Sequence, residues 1–205
     1  MHKRYVFLTS DGLTDDMKKK FFDIIRKNPK EVRVLYIPTA GIETDGARES
    51  FAIGLHELLL MGIHYDNILV YNLELLLSKG YERTYSSYIE EIPMVAKLLT
   101  AEELKAFDAV FVSGGDSAVL CREMVRTGLN NTIKKAINNG LIYVGISAGS
   151  IYAAGNLDEG LHIISNAIIP HWSGDKRIDL PSDSSDIPLT DGQAIYIESN
   201  KIILI

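Results

Sequence analysis

One cysteine in 205 residues, Cys121, excludes an internal disulfide and any Cys-x-x-Cys metal or redox pair. Five scattered histidines without His-Glu-x-x-His spacing give no metal site. The glycines form neither Gly-x-Gly-x-x-Gly nor a phosphate loop ending in Gly-Lys-Ser/Thr, so no cofactor is expected. Positive charge is in deficit: 21 Lys+Arg against 27 Asp+Glu leave −6, and the longest basic run is Lys18-Lys19-Lys20. Nucleic acid and anionic membrane are therefore not expected partners. No stretch reaches the ~18 uninterrupted apolar residues of a bilayer span. Met1-His2-Lys3-Arg4-Tyr5 runs into a strand-like segment with no apolar signal region, which points to a cytoplasmic protein.

What is present is ordinary globular material. Apolar residues make up 46% and charged residues 23%, enough to build one sizeable core, so residues 1–205 are expected to form a single domain. Short β-branched runs at 5–8, 32–37, 67–71, 109–112 and 141–146 alternate with segments of helical period. This alternation predicts an α/β fold, a three-layer sandwich around a mainly parallel sheet. Thr14 with Asp15 and Asp16 marks a helix start, and Gly128 and Gly140 mark helix ends. Residues 72–100 read as mixed short helices and 161–164 as a strand. Runs 194–198 and 201–205 flank Ser199-Asn200, predicting an antiparallel hairpin. Its apolar second run reads as a central strand or as an edge on which a second copy would pair, which leaves a homo-oligomer open.

The sharpest chemical signal is Gly145-Ile146-Ser147-Ala148-Gly149, between the most hydrophobic strand and a helical segment at 150–154. A nucleophile elbow needs that context, because small neighbours let the backbone close while the serine hydroxyl stands clear. An ordinary tight βα turn would favour the same residues. Gly114-Gly115 ends the neighbouring strand run, so the two turns would face one crevice beyond the carboxyl ends of the strands. There the N–H groups of Gly115 and Ala148 would form an oxyanion hole; alternatively the glycines only shape a turn, with Asp116 or Ser117 capping the next helix. A serine needs a base. His2 is terminal, His56 and His64 read as surface or satisfied residues, and His162 falls in the expected strand. His171, in a loop after Ile168-Ile169-Pro170, is the best placed.

Residues 111–117, 141–150, Ile169-Pro170-His171 and Asp191-Gly192-Gln193-Ala194 together resemble the peptidase E family of serine exopeptidases. That family includes α-aspartyl dipeptidases, with cyanophycinases more distant. The resemblance implies a flavodoxin-like fold similar to class I glutamine amidotransferases, whose elbow usually holds cysteine. It implies Ser147 as nucleophile, His171 as general base and Asp191, in an acid-Gly position, as the group orienting His171. A turn role for Asp191 stays open, and Asp158 and Asp175 compete with it. Asp116-Ser117 stands where the family commonly has Asn-Thr, and Asp116 would accept the α-ammonium of a substrate. The segment between His171 and Asp191 is short for an aspartyl dipeptidase and offers only Lys176 and Arg177 to a substrate carboxylate. The resulting expectation is a cofactor-free, metal-free serine peptidase of short peptides acting through an acyl-enzyme. The alternatives are a related amide or isopeptide hydrolase and a catalytically silent ligand-binding member of the fold.

Overall fold

The computed structural model describes residues 3–42, 45, 47–85, 91–174, 180 and 186–205. Its elements run β1 (Tyr5–Thr9), α1 (Asp15–Ile25), β2 (Val34–Ile37), α2 (Thr39–Ile42), α3 (Ala47–Leu60), β3 (Ile68–Val70), α4 (Lys79–Tyr85), β4 (Ala109–Val112), α5 (Ser117–Thr127), α6 (Leu129–Asn138), β5 (Ile142–Ile146), α7 (Ala148–Ala153), β6 (Ile168–Ile169), β7 (Ile187–Pro188), β8 (Ala194–Glu198) and β9 (Lys201–Leu204). Seven strands form one sheet in the order β3-β2-β4-β5-β1-β8-β9. The first five are mutually parallel, whereas β8 runs antiparallel to β1 and β9 antiparallel to β8.

Alternation along the strands separates two cores, because successive side chains leave opposite faces of a sheet. Val6, Leu8, Val110, Val112 and Tyr143 pack with residues of α5, α6 and α7. Phe7, Phe111, Ile142 and Val144 pack with Met17 and Phe21 of α1 and Leu58 of α3. Helices therefore cover both faces, which makes the three layers. β5 lies fourth of the seven strands and its first four residues are buried. That position is the one its unbroken hydrophobicity suits.

Local signals set the boundaries. The Thr14 side chain accepts from the Met17 N–H at α1, and Gly128, at φ 70°, separates α5 from α6. Residues 72–100 hold a short 3₁₀ turn at Leu73–Leu75 and α4. The hairpin of β8 and β9 forms as the turn at Ser199-Asn200 implies, and β9 takes an edge of the sheet rather than its centre.

One expected strand is not there. Residues 161–164 form no strand, and His162 sits at φ 48° with Nε2 2.9 Å from the Asp158 carbonyl oxygen. The Leu161 and Ile163 N–H groups donate to the Tyr152 and Ala153 carbonyls at the end of α7, so this stretch wraps a helix end instead of joining a ladder. Conversely, β6 and β7 make a small parallel pair not anticipated from sequence, two residues each being too short to show a period.

Candidate active site

Three chain segments meet beyond the carboxyl ends of β1, β4 and β5. Ser147 follows β5 and carries φ 46° and ψ −102°, a backbone state that non-glycine residues rarely adopt. Close packing holds it there. A Cβ at Gly145 would stand 2.7 Å from the Gly149 carbonyl carbon and the Ser150 nitrogen, so α7 turns back directly over the strand end. The Ser147 N–H donates to the Thr9 carbonyl at 3.1 Å, and the Ser150 hydroxyl lies 2.8 Å from the carbonyl oxygens of both Thr9 and Gly145.

His171 reaches the same place by another route. The β6–β7 pair ties residues 168–169 to 187–188, and the Trp172 N–H donates to the Leu189 carbonyl at 3.0 Å. This clamp sets His171 beside the turn at 190–193. Asp191 occupies that turn, where the Thr190 N–H and hydroxyl both donate to Gln193 Oε1 and Gly192 takes φ 84°. The Gly192 N–H donates to Asp11 Oδ1 at 2.9 Å, and β8 then continues paired to β1.

The result is a continuous relay. His171 Nε2 lies 3.0 Å from Ser147 Oγ, and His171 Nδ1 lies 2.8 Å from Asp191 Oδ1. An ionised carboxylate can only accept, so Nδ1 carries the ring proton and Nε2 is left free to accept from the serine hydroxyl. The Ser10 hydroxyl and the His171 ring hydrogen-bond Asp191 and hold its carboxyl below the usual range. Asp158 is elsewhere: its carbonyl faces His162, and it lines a groove with Cys121 and Leu157 on the α5 side.

The double-glycine turn adjoins the elbow, since β4 pairs with β5 and a Cβ at Gly114 would lie 3.3 Å from Ser147 Cβ. Gly115 takes φ 132°, and a Cβ there would collide with the Ala40 carbonyl. Among the described residues, neither the Gly115 nor the Ala148 N–H has a protein acceptor outside regular structure. Asp116 caps α5, its Oδ1 accepting from the Ala118 and Val119 N–H groups at 2.7 and 3.2 Å. Lys176, Arg177 and Asp175 lie outside the described residues. No group of three His, Cys, Asp or Glu side chains that could hold a metal occurs among the described residues.

Ser10, which no sequence motif marks, also belongs to the site. Its hydroxyl stands 2.8 Å from both the His171 nitrogen and Asp191 Oδ1. A small polar residue just past the carboxyl end of a strand beside the elbow was the available signal.

Comparison with known proteins shows a peptidase family. The model of peptidase family S51 matches residues 87–205. An uncharacterized peptidase of Pasteurella multocida, PM1590, is 25% identical over 145 residues, covering 58% of this chain and 70% of that protein. Peptidase E of Streptomyces coelicolor is 30% identical over 125 residues, 47% of this chain and 51% of that protein. Among solved structures, a candidate peptidase E protein of Listeria monocytogenes aligns with TM-score 0.64 at 22% identity, over 99% of this chain and 98% of its own; that likeness is one of fold.

Proposed function

The chain belongs to peptidase family S51, and from that membership we propose that it is a cytoplasmic serine exopeptidase of the dipeptidase E type, cleaving short peptides. The observation that carries the reading is the unbroken contact from Ser147 Oγ through His171 to Asp191 Oδ1. Ser147 Oγ adds to the carbonyl carbon of the scissile bond while His171 Nε2 takes its proton. Asp191 keeps Nδ1 protonated and stabilises the imidazolium that forms. The Gly115 and Ala148 N–H groups are assigned to the carbonyl oxygen as it gains charge. Collapse breaks the C–N bond, the amine leaves with the proton from Nε2, and an ester to Ser147 remains. Water, deprotonated by the same nitrogen, then releases the acid and restores the serine.

Small-molecule selection is assigned to Asp116, at the mouth of the turn, for the substrate α-ammonium, and to Lys176 or Arg177 for a substrate carboxylate. With so few cations in that segment, preference for an N-terminal aspartate is expected to be weak. The test is a dipeptide-library digest with wild type and Ser147→Ala in parallel. The variant should lose activity by about 10⁴-fold or more while keeping its melting temperature. Cleavage by the variant at the wild-type rate would overturn the serine mechanism.

A further inference from the structure

Ser10, immediately after β1, is fully buried, whereas the side chains of His171 and Asp191 are 54% and 58% exposed. Two solvent-facing side chains keep their rotamer freedom unless something fixed holds them. Ser10 is fixed: it ends a strand that pairs with both β5 and β8, and its N–H donates to the Gln193 carbonyl at 3.1 Å. Resting on the Ser-His-Asp reading above, we propose that Ser10 is a positioning residue whose single hydroxyl sets both the backbone of the base and the carboxylate that orients it.

The proton count leaves little choice. The His171 N–H donates to Ser10 Oγ at 2.8 Å, which uses a lone pair of the hydroxyl and leaves its proton to give. Two acceptors lie within reach, Asp191 Oδ1 at 2.8 Å and the Leu189 carbonyl at 3.3 Å. The nearer and charged one takes it, because a hydrogen bond to an ionised acceptor is shorter and stronger. Asp191 Oδ1 therefore receives the Ser10 proton and the His171 Nδ1 proton together, which fixes the oxygen that the ring addresses. The other end matters equally. His171 sits at φ 56°, a strained state for a residue with a side chain, and its N–H bond to Ser10 helps to hold it. Ser10 makes no contact with a reacting atom, so its effect is on the fraction of molecules with Nε2 correctly aimed.

The experiment compares wild type, Ser147→Ala, Ser10→Ala and the near-isosteric Ser10→Cys as full chains. The readouts are the rate of covalent labelling by an organophosphonate serine probe, kcat and KM on a cleaved dipeptide, and the far-downfield proton resonance of His171 Nδ1–H. Both Ser10 variants should keep a cooperative melt. Their labelling rate and kcat should fall about 10- to 100-fold with KM within about twofold of wild type. The downfield resonance, present in wild type and Ser147→Ala, should be lost in both. Folded Ser10 variants with wild-type labelling and an intact resonance would overturn the role of Ser10 while leaving the triad standing, as would a loss confined to KM. Absence of labelling at Ser147 in wild type would instead overturn the triad reading itself.

Discussion

Gly149, in the first turn of α7, lies so close to the main-chain carbonyl of Val112 at the end of β4 that a Cβ would collide with that oxygen. The carbonyl of Gly149 also receives the Tyr143 hydroxyl at 2.7 Å, so the turn is pinned from two strands. Gly149→Ala must push α7 away from the sheet, and Ser147 moves with it. The expected result is a destabilisation of about 1–3 kcal/mol with a drop in labelling of Ser147. Gly80→Ala in α4, where a Cβ meets nothing within 4 Å, should be neutral or stabilising by up to ~1 kcal/mol. Urea melts of the two variants check this, and equal midpoints would show that the elbow tolerates a side chain.

Asp116 combines a structural and a proposed recognition role, and one substitution separates them. Its carboxylate caps α5 through two N–H groups, and asparagine caps a helix about as well without the charge. Asp116→Asn should therefore keep the melting temperature and raise KM for peptides with a free α-ammonium. Asp116→Ala should also lose about 1 kcal/mol of stability from the cap. Acetylating the substrate amine should abolish cleavage by wild type. Unchanged turnover of the acetylated peptide would remove Asp116 from recognition and leave only the cap.

Much of this arrangement is legible in the sequence because it is local. The β5–α7 turn, the Gly114-Gly115 turn and the Asp116 cap are each written in a few adjacent residues whose steric needs are specific. The hairpin after Asp191 is equally local. What the sequence hides is long-range: Ser10 is 161 residues from His171, and nothing in Thr9-Ser10-Asp11 announces which side chain it will meet. The β6–β7 clamp that brings His171 to Asp191 is two residues per strand, below any detectable period. Residues 161–164 fail as a strand for a related reason. Leu161 and Ile164, three residues apart and so not on one face of a strand, are both buried against the core with no neighbouring ladder to join.

Away from the site, Glu123 is buried to 7% side-chain exposure between two arginines. Burial alone would raise its pKa, but hydrogen bonds from Arg126 and Arg122, with their charges, outweigh it and leave the carboxyl below its usual value. Arg126 also donates to the carbonyls of Leu73 and Leu76, so the pair joins α5 to the segment after β3. A carboxylate with a lowered folded pKa contributes stability above the unfolded value of about 4.3, and that contribution is lost as pH falls through the folded value. Glu123→Gln should thus cost about 1–3 kcal/mol near neutral pH, the partly exposed arginines keeping it at the modest end. The gap from wild type should narrow between neutral pH and an acidic pH below the unfolded value, as the glutamate itself becomes neutral. Urea midpoints at the two pH values measure it, and a gap that does not change would assign the loss to packing rather than charge.

The choice between Asp191 and Asp158 is the remaining test of how His171 is held. Asp191 Oδ1 lies 2.8 Å from His171 Nδ1, and its lowered pKa keeps it ionised well below the range in which an imidazole titrates. It therefore stays an acceptor throughout the range in which the proposed base is neutral. Asparagine at this position keeps the shape but can present an N–H to Nδ1, which places the ring proton on Nε2 and removes the acceptor that Ser147 needs. Asp191→Asn should lose about 10²–10⁴-fold in kcat with little change in melting temperature. Asp158 is exposed, and its backbone carbonyl meets the His162 ring. Asp158→Asn should therefore behave as wild type. Measured side by side, a large loss for Asp158→Asn with a normal rate for Asp191→Asn would reverse the assignment and leave Ser147 and His171 in place.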